Sequence, residues 1–333
     1  MRNRRWFLAA RPRGVPQPND WRLSEEQIGA PAKGEFLARN LYINIEPGMR
    51  GWLREARAEI PSPIPSIPMG GLMRALTIAQ VIESRHSEYP QGAFVSGPLG
   101  MQEFAISTGQ GVERIEPAAP LELYHTLFGM AGMAAYFSLL EVGRARTGET
   151  VVLSGAAGTV GSIGAQIARN TGCRVIGIAG GAAKRKFIED ELGIEAIDYE
   201  AENCAAALHR LCPDGVDVFV DTVGGEVLDA VLLNLARHAR IVICGAISQY
   251  NSSVPRGPVN YMNLNTSRAT MCGFVVYDHA PSYAQALEKI FEWYRAGQIV
   301  SRQDVVEGIE RFPEVFARLF DGTHIGKLIL KVA

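Results

Sequence analysis

The sequence predicts an α/β protein with two domains, a doubly wound parallel sheet and a smaller β-barrel-like domain. Three observations predict it. Strand and helix patterns alternate across residues 150–296, short runs broken by Gly and Pro fill residues 5–123, and 333 residues exceed the usual size of a single core.

The chain is organised around residues 150–186. Thr150-Val151-Val152-Leu153-Ser154 is a short apolar run, too brief for a helix, and it leads into Gly155-Ala156-Ala157-Gly158-Thr159-Val160-Gly161. From Ser162 the spacing of Ile163, Gln166, Ile167 and Ala168 becomes helical, and Asn170-Thr171-Gly172 ends that helix. Residues 173–179 form the next strand. The turn is a G-x-G-x-x-G with Ala156 in the first slot. Gly158 lets a pyrophosphate approach the backbone amides of a helix N-terminus, and Gly161 lets the helix pack closely on the strand. Glycine turns between strand and helix also occur for purely steric reasons, but here both flanking elements are present, as the fingerprint requires.

The coenzyme follows from what comes next. An NAD-binding protein places Asp or Glu about 20 residues on, against the ribose hydroxyls. Here the second strand ends in Ala179-Gly180-Gly181-Ala182-Ala183, without an acid, and then Lys184-Arg185-Lys186. A carboxylate would repel a 2′-phosphate and an ammonium pairs with it, so NADPH is expected. The contact is assigned to Lys184; Arg185 and Lys186 read as a solvated first turn of helix.

Taken in order, Leu41, Ile43 and Ile45 alternate with Tyr42, Asn44 and Glu46 in a half-buried strand stopped by Pro47-Gly48. A proline-rich run spans 61–68, and further short runs lie at 75–83, 94–96 and 102–106. Residues 125–140 look helical and apolar nearly all round, which predicts burial between the domains. The second half then predicts helices at 183–192, 201–211, 226–236 and 283–296, and strands at 196–199, 216–220, 241–244 and 271–277. A long connection, 245–267, leaves the carboxyl edge of the sheet, where loops of this length are commonly functional. Residues 299–333 revert to the earlier style and complete the first domain. The expected partition is therefore 1–123 with 299–333, and 124–298.

Composition narrows the function classes. With 33 basic against 35 acidic residues the net charge of −2 gives no electrostatic reason to expect a nucleic acid or anionic membrane as partner. Cys173, Cys204, Cys212, Cys244 and Cys272 are scattered and odd in number, which argues for a reducing compartment and against a disulfide framework or structural zinc. The apolar run at 6–10 is too short for a signal peptide, and a cytoplasmic location is the expectation.

Several stretches together resemble the zinc-independent medium-chain dehydrogenase/reductases of the prostaglandin reductase (leukotriene B4 dehydrogenase) group, most of all its bacterial curcumin-reductase-like members. They are Arg2-Asn3-Arg4-Arg5-Trp6, the run 41–51, Gly129-Met130-Ala131-Gly132-Met133-Ala134-Ala135-Tyr136, Val223-Gly224-Gly225-Glu226 and Cys244-Gly245-Ala246-Ile247-Ser248-Gln249-Tyr250-Asn251. The resemblance runs over essentially the whole length. It implies a Rossmann NADPH-binding domain and a GroES-like β-barrel catalytic domain. It implies that Gly158, Thr159, Val160, Gly161, Cys244, Gly245, Ala246, Ile247 and Ser248 hold phosphates and nicotinamide. Lys184 and Tyr199 would face the 2′-phosphate, and Phe274, Val275 and Val276 would lie beside the nicotinamide. Thr222 and His324 stand where the group usually has Asn. On the substrate side, Glu46-Pro47-Gly48-Met49-Arg50 lacks the aromatic of the group's acidic-Pro-Tyr-Met-Arg motif, and Met101 replaces a common Trp. Relatives are commonly dimers that pair edge strands, and residues 271–277 would supply that strand here.

The chemistry expected is hydride transfer to the β-carbon of an α,β-unsaturated ketone or aldehyde. His86, His125, His209, His238, His279 and His324 are dispersed without metal-ligand spacing, so no zinc is expected. A conjugated acceptor needs one donor aimed at the developing enolate oxygen, and a phenol supplies it. Tyr250 is the candidate, set against a tyrosine that merely packs over the ribose. Tyr42, Arg50 and Met101 are substrate-pocket candidates; for Tyr42 the alternation equally allows a solvent-facing ring, and for Arg50 an exposed loop position. Tyr136 reads as core. NADPH:quinone reduction and non-catalytic NADPH binding are the competing functions.

Overall fold

The computed structural model of the chain describes residues 1–55 and 64–332. Pro61, Ser62 and Pro63 of the proline-rich run lie outside the described residues. Two compact units are present, Met1–His125 with Gln303–Ala333, and Thr126–Arg302.

The first unit begins with the antiparallel hairpin of β1 (Arg2–Leu8) and β2 (Trp21–Gln27). Then come β3 (Phe36–Asn44), β4 (Thr77–Ser84), β5 (Phe94–Gly97), β6 (Phe104–Ser107) and β7 (Glu113–Ile115). Around 41–46 the strand is half-buried at Leu41, Tyr42 and Glu46, as expected, but Asn44 is buried along with Ile43 and Ile45. The sheet has a core on each face, one holding Phe36 and Ala38 and the other Ile43 and Ile45, so a polar residue of the alternating pattern such as Asn44 can be enclosed as well. Proline cannot extend the ladder, and after Glu46 the chain turns into a 3-10 stretch, Pro47–Leu53.

In the second unit, α1 is Met130–Tyr136 and passes into a π-helical turn, Phe137–Val142. The helix expected over 125–140 therefore starts five residues late. Gly129 is extended at its N-cap, and a bond from the Gly132 amide to the Thr126 carbonyl closes the preceding loop instead of a helical turn. Next come β8 (Thr150–Ser154), α2 (Thr159–Asn170), β9 (Arg174–Ala179), α3 (Ala182–Lys186), β10 (Glu195–Asp198), α4 (Cys204–Leu211) and β11 (Val216–Asp221). They are followed by α5 (Gly225–Leu232), β12 (Leu235–Ile243), α6 (Asn263–Ser267), β13 (Thr270–Gly273) and α7 (Tyr283–Arg295).

Two boundaries here differ from expectation. The helix predicted to reach residue 236 stops at Leu232, because the Asn234 amide turns onto the carbonyls of Ala205 and Ala230; the strand then starts at Leu235 rather than 241. The strand predicted over 271–277 spans Thr270–Gly273. After the Phe274 amide bonds the Ile243 carbonyl, the chain coils into the 3-10 segment Val276–Ser282, which contains Pro281.

The chain returns to the first unit with β14 (Gln303–Glu307), α8 (Phe312–Asp321) and β15 (Lys327–Lys331). There a seven-stranded sheet runs β14-β15-β3-β4-β5-β7, with β6 also paired to β3. Phe312 and Phe316 of α8 pack edge-on to Trp21, and the Trp6 indole donates to the Ile309 carbonyl at 2.8 Å, so both ends of the chain fill one core. The second unit's six strands, ordered β10-β9-β8-β11-β12-β13, are all parallel. Strand order reverses between β8 and β11, and the carboxyl ends of β8, β11 and β12 are neighbours there. In such sheets that is where a ligand binds.

Candidate functional site

The turn after β8 is shaped by what its glycines exclude. A Cβ on Gly161 would fall against the Gly155 carbonyl and lie 2.8 Å from the Ala156 Cα, all backbone, so α2 can sit this close only with glycine. A Cβ on Gly158 would meet only the Gly155 oxygen at 3.1 Å and would otherwise fill open space. Gly158 is the extended N-cap of α2, and the first helical bond is donated by Ser162 to its carbonyl at 2.9 Å. The amides of Thr159, Val160 and Gly161 lie ahead of that bond. A pyrophosphate fits this cradle, since nothing but a missing side chain keeps the space open and the helix presents its positive end.

At the end of β9 the chain passes through Gly180 and Gly181 into α3. The Gly181 amide donates to the Asp198 carboxylate at 2.8 Å, which ties the end of β9 to the end of β10. Lys184 is half-buried on α3, Arg185 is held by Glu189 at 2.9 Å, and Lys186 is exposed. The Tyr199 ring lies against Gly180, where an added Cβ would be 2.7 Å from its hydroxyl. Tyr199 thus lies at the end of β9, and Lys184 is on the helix that follows it.

The carboxyl ends of β11 and β12 are bound together. Asp221 is 0% exposed, and its Oδ1 accepts the Ser154 hydroxyl at 2.7 Å and the Val223 and Gly224 amides at 2.9 Å. Its Oδ2 has no partner among the described residues, and burial pushes its pKa up in spite of those three bonds. The Thr222 amide donates to the Ser154 hydroxyl oxygen, and the Thr222 hydroxyl donates to the Ser154 carbonyl. The Cys244 and Gly245 amides donate to the Asp221 carbonyl, Ile247 to Thr222 and Ser248 to Val223. Burial, and then Asp221, push the Cys244 thiol up to about 12, so it stays protonated and takes no nucleophilic part. The Tyr250 phenol folds back over this loop: the Ala246 amide donates to it at 3.3 Å, and a Cβ on Gly245 would stand 3.0 Å from it. Sequence reasoning missed Asp221 and Ser154, although an acid closing an apolar strand before Gly-Gly was a usable signal.

Phe274, Val275 and Val276 follow β13. Phe274 is half-buried and stacked on His279, Val275 is 40% exposed, and the Val276 carbonyl accepts the Tyr283 hydroxyl at 2.9 Å. Tyr136 is half-buried against Phe137 and Trp293.

In the first unit two pocket candidates are corrected. Met101 is 0% exposed and belongs to the hydrophobic core with Trp6 and Met73, because its backbone accepts from the Trp6 amide at 3.0 Å and donates to the Met73 carbonyl at 2.9 Å, which holds it between them. Arg50 is 4% exposed and donates to the carbonyls of Pro12 and Gly14, so it is neither a substrate anchor nor a loop residue in solvent. Desolvation, and then Arg54, lower its pKa. Replacing Arg50 by Leu is expected to lower stability by about 2–4 kcal/mol, since buried carbonyls lose their donor. Urea denaturation would read this; an unchanged midpoint would return Arg50 to the list of binding residues. Tyr42 is half-buried and donates to Glu122 at 2.7 Å; burial and that carboxylate push it up to about 12. His324 follows α8 and its Nδ1 lies 3.1 Å from the Arg318 carbonyl.

Beside Tyr42 is a polar group that the sequence did not announce. His125, 5% exposed, meets the Tyr42 carbonyl through Nε2 at 3.2 Å, and the buried Lys327 ammonium donates to the Ile45 carbonyl at 2.9 Å. Burial lowers His125 to about 3 and Lys327 to about 8.

A six-stranded parallel sheet with a glycine turn at its switch point, in a chain that also folds a second β-rich unit, defines a two-domain nucleotide-dependent oxidoreductase architecture. Residues 4–115 match the family described as N-terminal domain of oxidoreductase, and residues 159–292 the one described as zinc-binding dehydrogenase. Among the described residues no three His, Cys, Asp or Glu side chains group so as to hold a metal ion. The chain is 36% identical to the NADPH-dependent curcumin reductase of Escherichia coli, covering 100% of this chain and 97% of that protein. It is 35% identical to the NADP(+)-dependent 2-alkenal reductase of Nicotiana tabacum, over 96% and 94% of the two chains. The crystal structure of CurA in complex with NADPH from Vibrio vulnificus superposes with a TM-score of 0.93 at 36% identity, over 99% of each chain. The chain belongs to the zinc-independent medium-chain dehydrogenase/reductases, in the prostaglandin reductase group, with a Rossmann sheet and a GroES-like β domain.

Proposed function

We propose that this protein reduces the C=C bond of α,β-unsaturated ketones and aldehydes with NADPH. The observation that carries the reading is the Tyr250 phenol seated on the loop after β12, in the same unit as the glycine turn between β8 and α2 and Lys184 of α3. End-to-end similarity to relatives named as curcumin and alkenal reductases supports it.

Bound NADPH would supply the hydride. Gly158, Thr159, Val160 and Gly161 hold the pyrophosphate by backbone amides, Lys184 and Tyr199 the 2′-phosphate, and Thr222 with residues 244–248 the nicotinamide half, flanked by Phe274, Val275 and Val276. His324 serves as a further cofactor contact and Tyr42 lines the substrate side. As the β-carbon gains hydride, the enolate oxygen accepts a hydrogen bond from Tyr250, whose phenol the Ala246 amide orients. Tyr250→Phe is expected to lower kcat about tenfold and leave NADPH affinity within about twofold, because a ribose hydroxyl can take over the donation. A rate equal to wild type across the pH profile would remove Tyr250 from catalysis.

Parallel NADPH-oxidation assays with an enone and a quinone decide the reaction class. Turnover of the quinone alone would refute the proposal, and tight binding without turnover of either would favour a non-catalytic protein. The protein is proposed to work in the cytoplasm as a homodimer joined through the β13 edges, with light scattering as the check.

A further inference from the structure

The sequence places no acid at the end of β9, but the fold brings one there. Glu200 lies on the turn after β10, and its amide donates to Asp198 at 3.0 Å, the same carboxylate that takes the Gly181 amide. The turn is thereby drawn over the end of β9. A Cβ added to Gly180 would lie 2.5 Å from Glu200 Oε1, and one added to Gly181 would lie 3.6 Å from Oε2. The carboxylate therefore lies along the two glycines, beside the Tyr199 ring, which touches the same Gly180. After burial, the charge of Glu200 is the largest influence raising the Tyr199 pKa.

In a doubly wound sheet, a carboxylate at the end of the second strand accepts hydrogen bonds from the adenosine ribose hydroxyls and selects the unphosphorylated coenzyme. Here the same spatial position is filled from the third strand, while Lys184 stands on the helix that starts at Gly181. We propose that Glu200 is a coenzyme-specificity residue. It accepts a ribose hydroxyl of NADH, repels the 2′-phosphate of NADPH, and so gives this reductase use of both coenzymes, with Lys184 keeping NADPH ahead. The proposal rests on reading the β8–α2 turn as a dinucleotide site. Glu200 is exposed, so its replacement by glutamine of the same size is expected to leave the fold intact.

The test is calorimetric titration of the full-length protein with NADP+ and, separately, NAD+, for the wild type, Glu200→Gln and Lys184→Met. Removing one like charge at this range is expected to tighten NADP+ about tenfold in E200Q. Exchange of the charged acceptor for a neutral amide oxygen is expected to weaken NAD+ about fivefold. K184M should move the NADP+ constant the other way and leave NAD+ within about twofold. If E200Q leaves the ratio of the two constants unchanged while both coenzymes still bind, this proposal is overturned and the dinucleotide reading stands. If the wild type binds neither coenzyme, the dinucleotide reading fails and takes this proposal with it.

Discussion

Replacing Gly161 by valine is expected to cost about 3 kcal/mol of stability and to weaken NADPH binding at least a hundredfold. The atoms in the way are the Gly155 carbonyl and the Ala156 Cα, which are backbone and cannot rotate aside. The turn itself must move, and with it the amides at the start of α2. Gly164, one turn further along the same helix, provides the contrast. A Cβ there would meet the end of the Leu153 side chain at 2.8 Å, which can shift to another rotamer. Gly164→Ala should therefore cost about 1 kcal/mol and leave coenzyme affinity within about twofold. Denaturation midpoints and NADPH titrations on both variants check this. Equal effects at the two positions would mean that the turn is not the coenzyme's seat.

Acid is expected to destabilise the first unit through His125. Its ordinary pKa of 6.5 is lowered to about 3, chiefly by burial, with the Lys327 charge adding and the bond to the Tyr42 carbonyl opposing. Other ionisable groups near this cluster are Glu46, which opposes the lowering of Lys327, and Tyr42, bonded to Glu122. Between those two pH values the unfolded chain binds a proton that the folded chain refuses. Stability contributed by neutral His125 is thus complete above pH 6.5 and is lost as pH falls toward 3. At about 1.4 kcal/mol per pH unit the full loss is about 5 kcal/mol. Urea midpoints for wild type and His125→Gln at pH 7 and pH 4 provide the measurement. The variant should be the less stable at pH 7 and should lose less on acidification. Parallel pH dependence in both proteins would show that His125 is not the group that titrates.

What could be read in the sequence, and what could not, divides along physical lines. β8, α2 and β9 were placed to within three residues because an apolar run, a glycine turn and a helical period occur in succession, all of them local signals. The boundary at Leu232 was misread because Asn234 ends α5 by bonding across to Ala205, a contact the local pattern does not carry. Arg50 and Met101 were misassigned for a related reason. Residue type suggested a pocket, and only the three-dimensional path of the 12–14 loop and of β1 shows that both are enclosed. Glu200 lies 20 residues from Gly180 along the chain, so an acid absent from the end of β9 in sequence is present there in space.

The union of the two chain ends in one unit has a consequence for synthesis. β3 is made early, yet its neighbour β15 and the aromatic face of α8 that covers Trp6 and Trp21 are made only after the whole of Thr126–Arg302. The parallel sheet of Thr126–Arg302 has all its strands in hand before then and can fold while the amino-terminal strands still wait for their lid. A nascent chain stalled just short of Gln303 should thus expose tryptophan and a bare strand edge to chaperones, and α8 with β15 act as the latch that ends this exposure.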